Sequence, residues 1–171
     1  MKNMQFYKFT AGAVFLFFAS CSDAIRAEPK VGDRIGDWVF SCRALSATRT
    51  VCALNQTIVE SKSKKAVLQL ALRKLGKERR LALVVNVPLG VYLATGIGGK
   101  VDEGEQFSLV WQSCNSQGCQ AALGIDDMLK QAMKAGSKLF IGFKPRPDAE
   151  TFTVSASLKG VTAGLTALDA D

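Results

Sequence analysis

The sequence predicts an all-β fold, a sandwich or partly closed barrel with little helix, and three observations lead there. Apolar residues recur at period two over most of the chain beyond residue 28. Gly, Pro and charged residues break these runs into seven or eight short strands. Hydrophobic residues make up 48% of the 171 positions, enough for one real core and no case for disorder.

The first 27 residues read as an address. Lys2 and Lys8 precede the uncharged run Thr10 to Ser20, too short to span a bilayer but suited to the apolar segment of a signal peptide. Two kinds of processing fit. A signal peptidase could cut after Ala27, leaving residues 28–171 as a single domain. Alternatively, Phe18-Ala19-Ser20-Cys21 resembles a lipobox, with Phe where Leu is usual, and Cys21 would carry lipid and anchor the chain. The rest of the chain holds no apolar run long enough to cross a membrane.

Along the remaining chain, strands are expected around Asp37–Cys42 and Val51–Val59. Leu68, Leu70 and Leu72 alternate before the turn Leu75-Gly76-Lys77-Glu78, and Leu81 to Val87 returns, which makes a hairpin. Further strands are expected at Gly90–Thr95, Phe107–Ser113 and Lys138–Lys144. From Thr151 to Leu158 one face is apolar (Phe152, Val154, Ala156, Leu158) and the other hydroxylic, as on a half-buried antiparallel strand. One helix interrupts them: Asp126 can N-cap it, Met128, Leu129, Ala132 and Met133 share a face, and Gly136 stops it. A shorter helical turn is expected over Val161–Leu168.

Beyond Cys21 the chain has four cysteines, Cys42, Cys52, Cys114 and Cys119. In an exported chain an even number suggests two disulfides, and proximity favours Cys42–Cys52 and Cys114–Cys119 among the three pairings allowed. The C-x9-C and C-x4-C spacings suit neither zinc nor a redox pair.

Charge and chemistry narrow the function. The chain has 22 Lys+Arg, 15 Asp+Glu and no histidine. Histidine-based nucleophile activation, histidine metal sites and a histidine pH switch are therefore excluded. No constellation of nucleophile, base and orienting partner appears, so neither an enzyme nor a cofactor is expected. Lys62, Lys64, Lys65, Arg73, Lys74, Lys77, Arg79 and Arg80 face only Glu78 between positions 62 and 80. Several could form one positive ridge for anionic lipid, lipopolysaccharide phosphates or acidic glycans. The competing reading is that they protect exposed strands and keep the domain in solution. Nucleic acid is not expected, because the chain reads as exported and no aromatic platform interleaves the charges. Gly96-Ile97-Gly98-Gly99-Lys100 lacks phosphate-loop spacing and reads as a glycine-rich turn between strands. Asp102, Glu103 and Glu105 read as a solvated loop, and Trp38 and Trp111 as side chains packed on the disulfides.

Five segments in order resemble the invasion-associated locus B (IalB) proteins. They are Gly36-Asp37-Trp38 followed by Cys42 and Cys52; Val87-Pro88-Leu89-Gly90-Val91-Tyr92-Leu93-Ala94-Thr95-Gly96; Cys114 to Cys119; Lys134-Ala135-Gly136; and Val154 to Ala163 with its Ser-Leu-Lys-Gly core. Val161 stands where the family usually has an aromatic, and Gly164 where alanine is common. The resemblance covers nearly all of Gly36 to Leu168. It implies an immunoglobulin-like β-sandwich and an exported, non-enzymatic alphaproteobacterial envelope protein. Such a protein would contribute to host-cell (erythrocyte) invasion by binding a host or envelope component. The alternative is a housekeeping periplasmic protein, chaperone-like or envelope-maintaining, that affects invasion indirectly. The family brings no catalytic residues.

Overall fold

A computed structural model describes residues 29–170. The expected signal segment, Cys21 and Glu28 lie outside them. The elements are β1 (Arg34–Ile35), β2 (Trp38–Ser46), β3 (Arg49–Val59), β4 (Ala66–Leu75), β5 (Arg80–Val87), β6 (Ile97–Val101), β7 (Gln106–Asn115), β8 (Gly118–Gly124), α1 (Asp127–Ala135), β9 (Lys138–Phe143), β10 (Phe152–Ser157) and α2 (Val161–Asp169).

Every strand pairing is antiparallel, in the order β1-β2-β3-β4-β5-β8-β7-β6-β9-β10. The order folds into two layers at β7. Its first half (Gln106 to Leu109) pairs with β6, and its second half (Val110 to Asn115) pairs with β8. The inward faces then meet in one cluster. Trp38, Leu54, Leu70, Leu72, Leu83 and Val85 come from the first layer, and Leu139, Ile141, Val154 and Ala156 from the second. These are the positions that period-two alternation turns to one side of each strand.

The sandwich and its staples match the sequence expectation, with corrections inside it. Gly90–Thr95 is not a strand. Gly90 has φ +95°, and Leu93–Thr95 forms one 3-10 turn that leaves Tyr92 and Leu93 exposed. Gly96–Lys100 is not a turn throughout, because Ile97–Val101 is strand β6, between β7 and β9. Glycine is tolerated there because the neighbours need the space. A Cβ on Gly99 would lie 2.7 Å from the Phe107 ring and 2.8 Å from the Phe140 carbonyl oxygen. Strand β8, poor in β-branched residues, is absent from the sequence reading.

Both helices form as expected. Asp126 caps α1 by accepting from the Leu129 N–H at 2.8 Å, and Gly136 follows its end. Gly164 of α2 lets the helix lie directly on β3, since a Cβ there would fall 2.3 Å from Leu54 Cδ1. That contact offsets the low helix propensity of glycine.

The start of β2 and the segment after β10 are tied together at one crossing. The Asp37 N–H donates to the Lys159 carbonyl at 3.0 Å, and Trp38 Nε1 donates to the Ser157 carbonyl at 3.0 Å. Gly36 (φ +64°) and Gly160 (φ +93°) pass so closely that a Cβ on either would strike the other segment's backbone, at 2.3 and 2.0 Å.

A candidate anion-binding cleft

The disulfides define the two ends of the first layer. Cys42 and Cys52 are directly opposed on β2 and β3, and Cys114 and Cys119 on β7 and β8. Both pairs are bonded, with Cα atoms 3.9 and 4.0 Å apart. Each therefore fixes the register of a hairpin near its tip. Trp38 is fully buried, and its Nε1 donates to the Ser157 carbonyl. Trp111 packs against the core with its Nε1 buried and unpartnered among the described residues.

The eight basic residues do not form one ridge. Lys62, Lys64 and Lys65 occupy the β3–β4 connection, while Lys77 and Arg79 occupy the β4–β5 turn. The ten residues of β4 separate the two groups. At about 3.3 Å per residue that is roughly 30 Å. Arg73 faces away from the core on β4, opposite Ala53 and Ala82. Its Nε is buried without a hydrogen-bond partner.

The hairpin group has a partner that sequence reasoning missed, Arg49. It begins β3 and lies on the wall of a cleft between the β2–β3 and β4–β5 hairpin tips, at the end of α2. The cleft measures about 280 Å³. Its cationic lining is Arg49, Lys74, Lys77 and Arg79, and its apolar lining is Leu45, Val51, Cys52, Leu75 and Leu168. Lys74 is held by Asp169 at 3.4 Å, and the same carboxylate takes Lys130 at 3.5 Å. Arg80 pairs with Glu78 through Nε at 2.6 Å. Arg49 and Lys77 make no ion pair among the described residues. Arg79 is carried at φ +51° by the turn Gly76–Arg79, where its N–H meets the Gly76 carbonyl. The only spacing signal for Arg49 was its place two residues before the Val51 run, on the neighbouring hairpin.

The acidic loop is structural. Asp102 accepts from the backbone N–H groups of Ser137 and Lys138, each at 2.9 Å, and so pins the start of β9. Glu103 pairs with Lys100 at 2.7 Å. Among the described residues no three His, Cys, Asp or Glu side chains converge to hold a metal. No helix among them is long and apolar enough to cross a membrane.

The sequence profile described as invasion associated locus B (IalB) protein matches residues 38–169. An invasion protein B homolog of Brucella abortus (strain 2308) is 28% identical over 134 residues, covering 78% of this chain and 76% of that protein. The homolog of Brucella abortus biovar 1 (strain 9-941) gives the same values. The crystal structure of invasion associated protein B from Bartonella henselae superposes with a TM-score of 0.71 at 20% identity. It covers 81% of this chain and 94% of that one, a likeness of fold.

Proposed function

The chain belongs to the invasion associated locus B family, and from that premise we propose an exported, non-enzymatic envelope protein that binds an anionic host or envelope component. Such binding is its contribution to host-cell invasion. The observation that carries the reading is the cationic cleft, where Arg49 and Lys77 stand at the rim of an apolar floor with no ion-pair partner among the described residues. Two local disulfides suit an oxidising compartment outside the cytoplasm. Anionic lipid, lipopolysaccharide phosphate and acidic glycan all offer the required charge. The group Lys62, Lys64 and Lys65 is reassigned to keeping the β3–β4 connection solvated.

The test compares wild type, R49E/K77E and K62E/K64E/K65E for binding to erythrocyte membranes and bacterial outer-membrane vesicles at low and high salt. Binding that falls with salt and with R49E/K77E, but not with the triple change K62E/K64E/K65E, supports the reading, since exposed charges are screened beyond about 8 Å at physiological ionic strength. Equal binding by all three proteins removes the cleft from the function. Surface labelling of intact bacteria decides where the protein acts. Labelling only after permeabilisation would favour the housekeeping periplasmic role.

A further inference from the structure

We propose that the cleft between the two hairpin tips binds an anionic amphiphile, a phosphate or carboxylate headgroup with its adjoining apolar carbons. This rests on the anion-binding reading above and narrows it to one ligand class. A surface for a bare anion needs only cations. Here Leu45, Val51, Leu75 and Leu168 line the same cleft as Arg49, Lys77 and Arg79. Leu168 is buried and closes the inner wall, whereas Leu45 is 46% exposed at the lip. A headgroup held by the Arg49 and Lys77 side chains would therefore place its first carbons against leucine. The volume of about 280 Å³ stands at the small end of ligand pockets, so it fits a headgroup and a short apolar segment and leaves a longer tail outside. Asp169 limits the site. It holds the Lys74 and Lys130 ammonium groups and offsets one of their two charges, so Lys74 is turned toward Asp169 and direct contact to the headgroup falls to the two hairpin rims.

The probe is dodecyl phosphate below its aggregation concentration, compared with inorganic phosphate and with dodecyl maltoside. Binding is followed by calorimetry and by NMR shifts of the backbone amides. The proposal expects dodecyl phosphate to bind about tenfold or more tighter than either control, the equivalent of about two buried methylenes over phosphate alone. The shifted amides should be those of Thr50, Leu75, Gly76, Lys77 and Leu168. R49E/K77E should abolish the preference over dodecyl maltoside. L45S should weaken dodecyl phosphate severalfold and leave inorganic phosphate unchanged, and its exposed position keeps folding intact. Phosphatidic acid vesicles supply the same headgroup in a bilayer. Competition between vesicles and dodecyl phosphate assigns the source to lipid surfaces, and binding to dodecyl phosphate without vesicle binding assigns it to free amphiphiles. Equal affinity for inorganic and dodecyl phosphate would overturn the proposal in favour of a bare anion site. Shifts elsewhere, or equal binding of dodecyl maltoside, would overturn it outright. If R49E/K77E reduces membrane binding while wild type ignores dodecyl phosphate, the amphiphile inference falls and the electrostatic reading survives. Loss of neither rejects both.

Discussion

The Gln56 side chain and the Ser157 backbone hold each other across 101 positions of sequence. Gln56 Nε2 donates to the Ser157 carbonyl at 3.0 Å, and the Ser157 N–H returns a bond to Gln56 Oε1 at 2.9 Å. The same Nε2 reaches the Asp37 carbonyl at 3.2 Å. Gln56 is the one buried polar or charged side chain among the described residues, with 7% of its surface exposed. It joins β3 to the end of β10, so the two layers folded apart at β7 are clasped at their other side.

Removing that clasp takes a partner from part-buried backbone groups. Gln56→Leu should destabilise the protein by about 1–3 kcal/mol, because the part-buried Ser157 N–H and the Asp37 carbonyl lose a partner, while the Ser157 carbonyl keeps the Trp38 Nε1 donor. Urea unfolding of oxidised protein measures it. A change below about 0.5 kcal/mol would mean the bonds contribute nothing net.

The disulfides predict an ordering. Their sequence separations are 10 and 5. Loop entropy gives about 3 kcal/mol for the first and about 2 kcal/mol for the second. Cys42→Ser with Cys52→Ser should therefore cost more than Cys114→Ser with Cys119→Ser. Peptide mapping without reduction should recover these two linked pairs.

Gly164 is predicted to be a fitted position in this chain. Gly164→Ala adds a methyl against Leu54, which is fully buried. Helix propensity favours the change by about 1 kcal/mol, and overpacking opposes it by about 1–3 kcal/mol. The expected result is a small net loss that Leu54→Val relieves. A double-mutant cycle with no coupling between the two positions would show that they do not compete for space.

Asp102 is predicted to act in folding alone. Asp102→Ala removes two charge-assisted bonds to the start of β9 and should lower stability by about 2–4 kcal/mol. Amphiphile binding by the folded fraction should stay the same. Calcium should leave the thermal midpoint of wild type unchanged, and a shift would restore a metal role to this loop.

The mature N-terminus is predicted at or near Glu28. Intact-mass measurement of protein from its native host should show residues 1–27 removed. A mass carrying diacylglycerol on Cys21 would instead establish a tethered lipoprotein.

Elements whose local pattern and tertiary setting agree were legible in the sequence. The β4–β5 hairpin, β10 and α1 each show one period and recognisable end signals. Gly90–Thr95 misled because alternating Val91, Leu93 and Thr95 look strand-like, while the left-handed Gly90 redirects the backbone. Strands β6 and β8 were hidden for the opposite reason. Gly99 of β6 is crowded by Phe107 and Phe140, and Gly118 of β8 by the Val87 backbone of β5, neighbours that no local window contains. The basic site was half legible. Charge count marked the β4–β5 turn, but the length of β4 separates Lys62 from Lys77, and strand pairing brings in Arg49.

Sharing β7 between the layers has a consequence for how the molecule comes apart. Its Leu109 is bonded into the register of Ile97, and the next residue, Val110, into that of Ala122. Neither layer can be released without melting a strand of the other. The slowest-exchanging amides should therefore lie on β7 and its two partners together, and a partly opened form with one layer intact should be absent from native-state exchange.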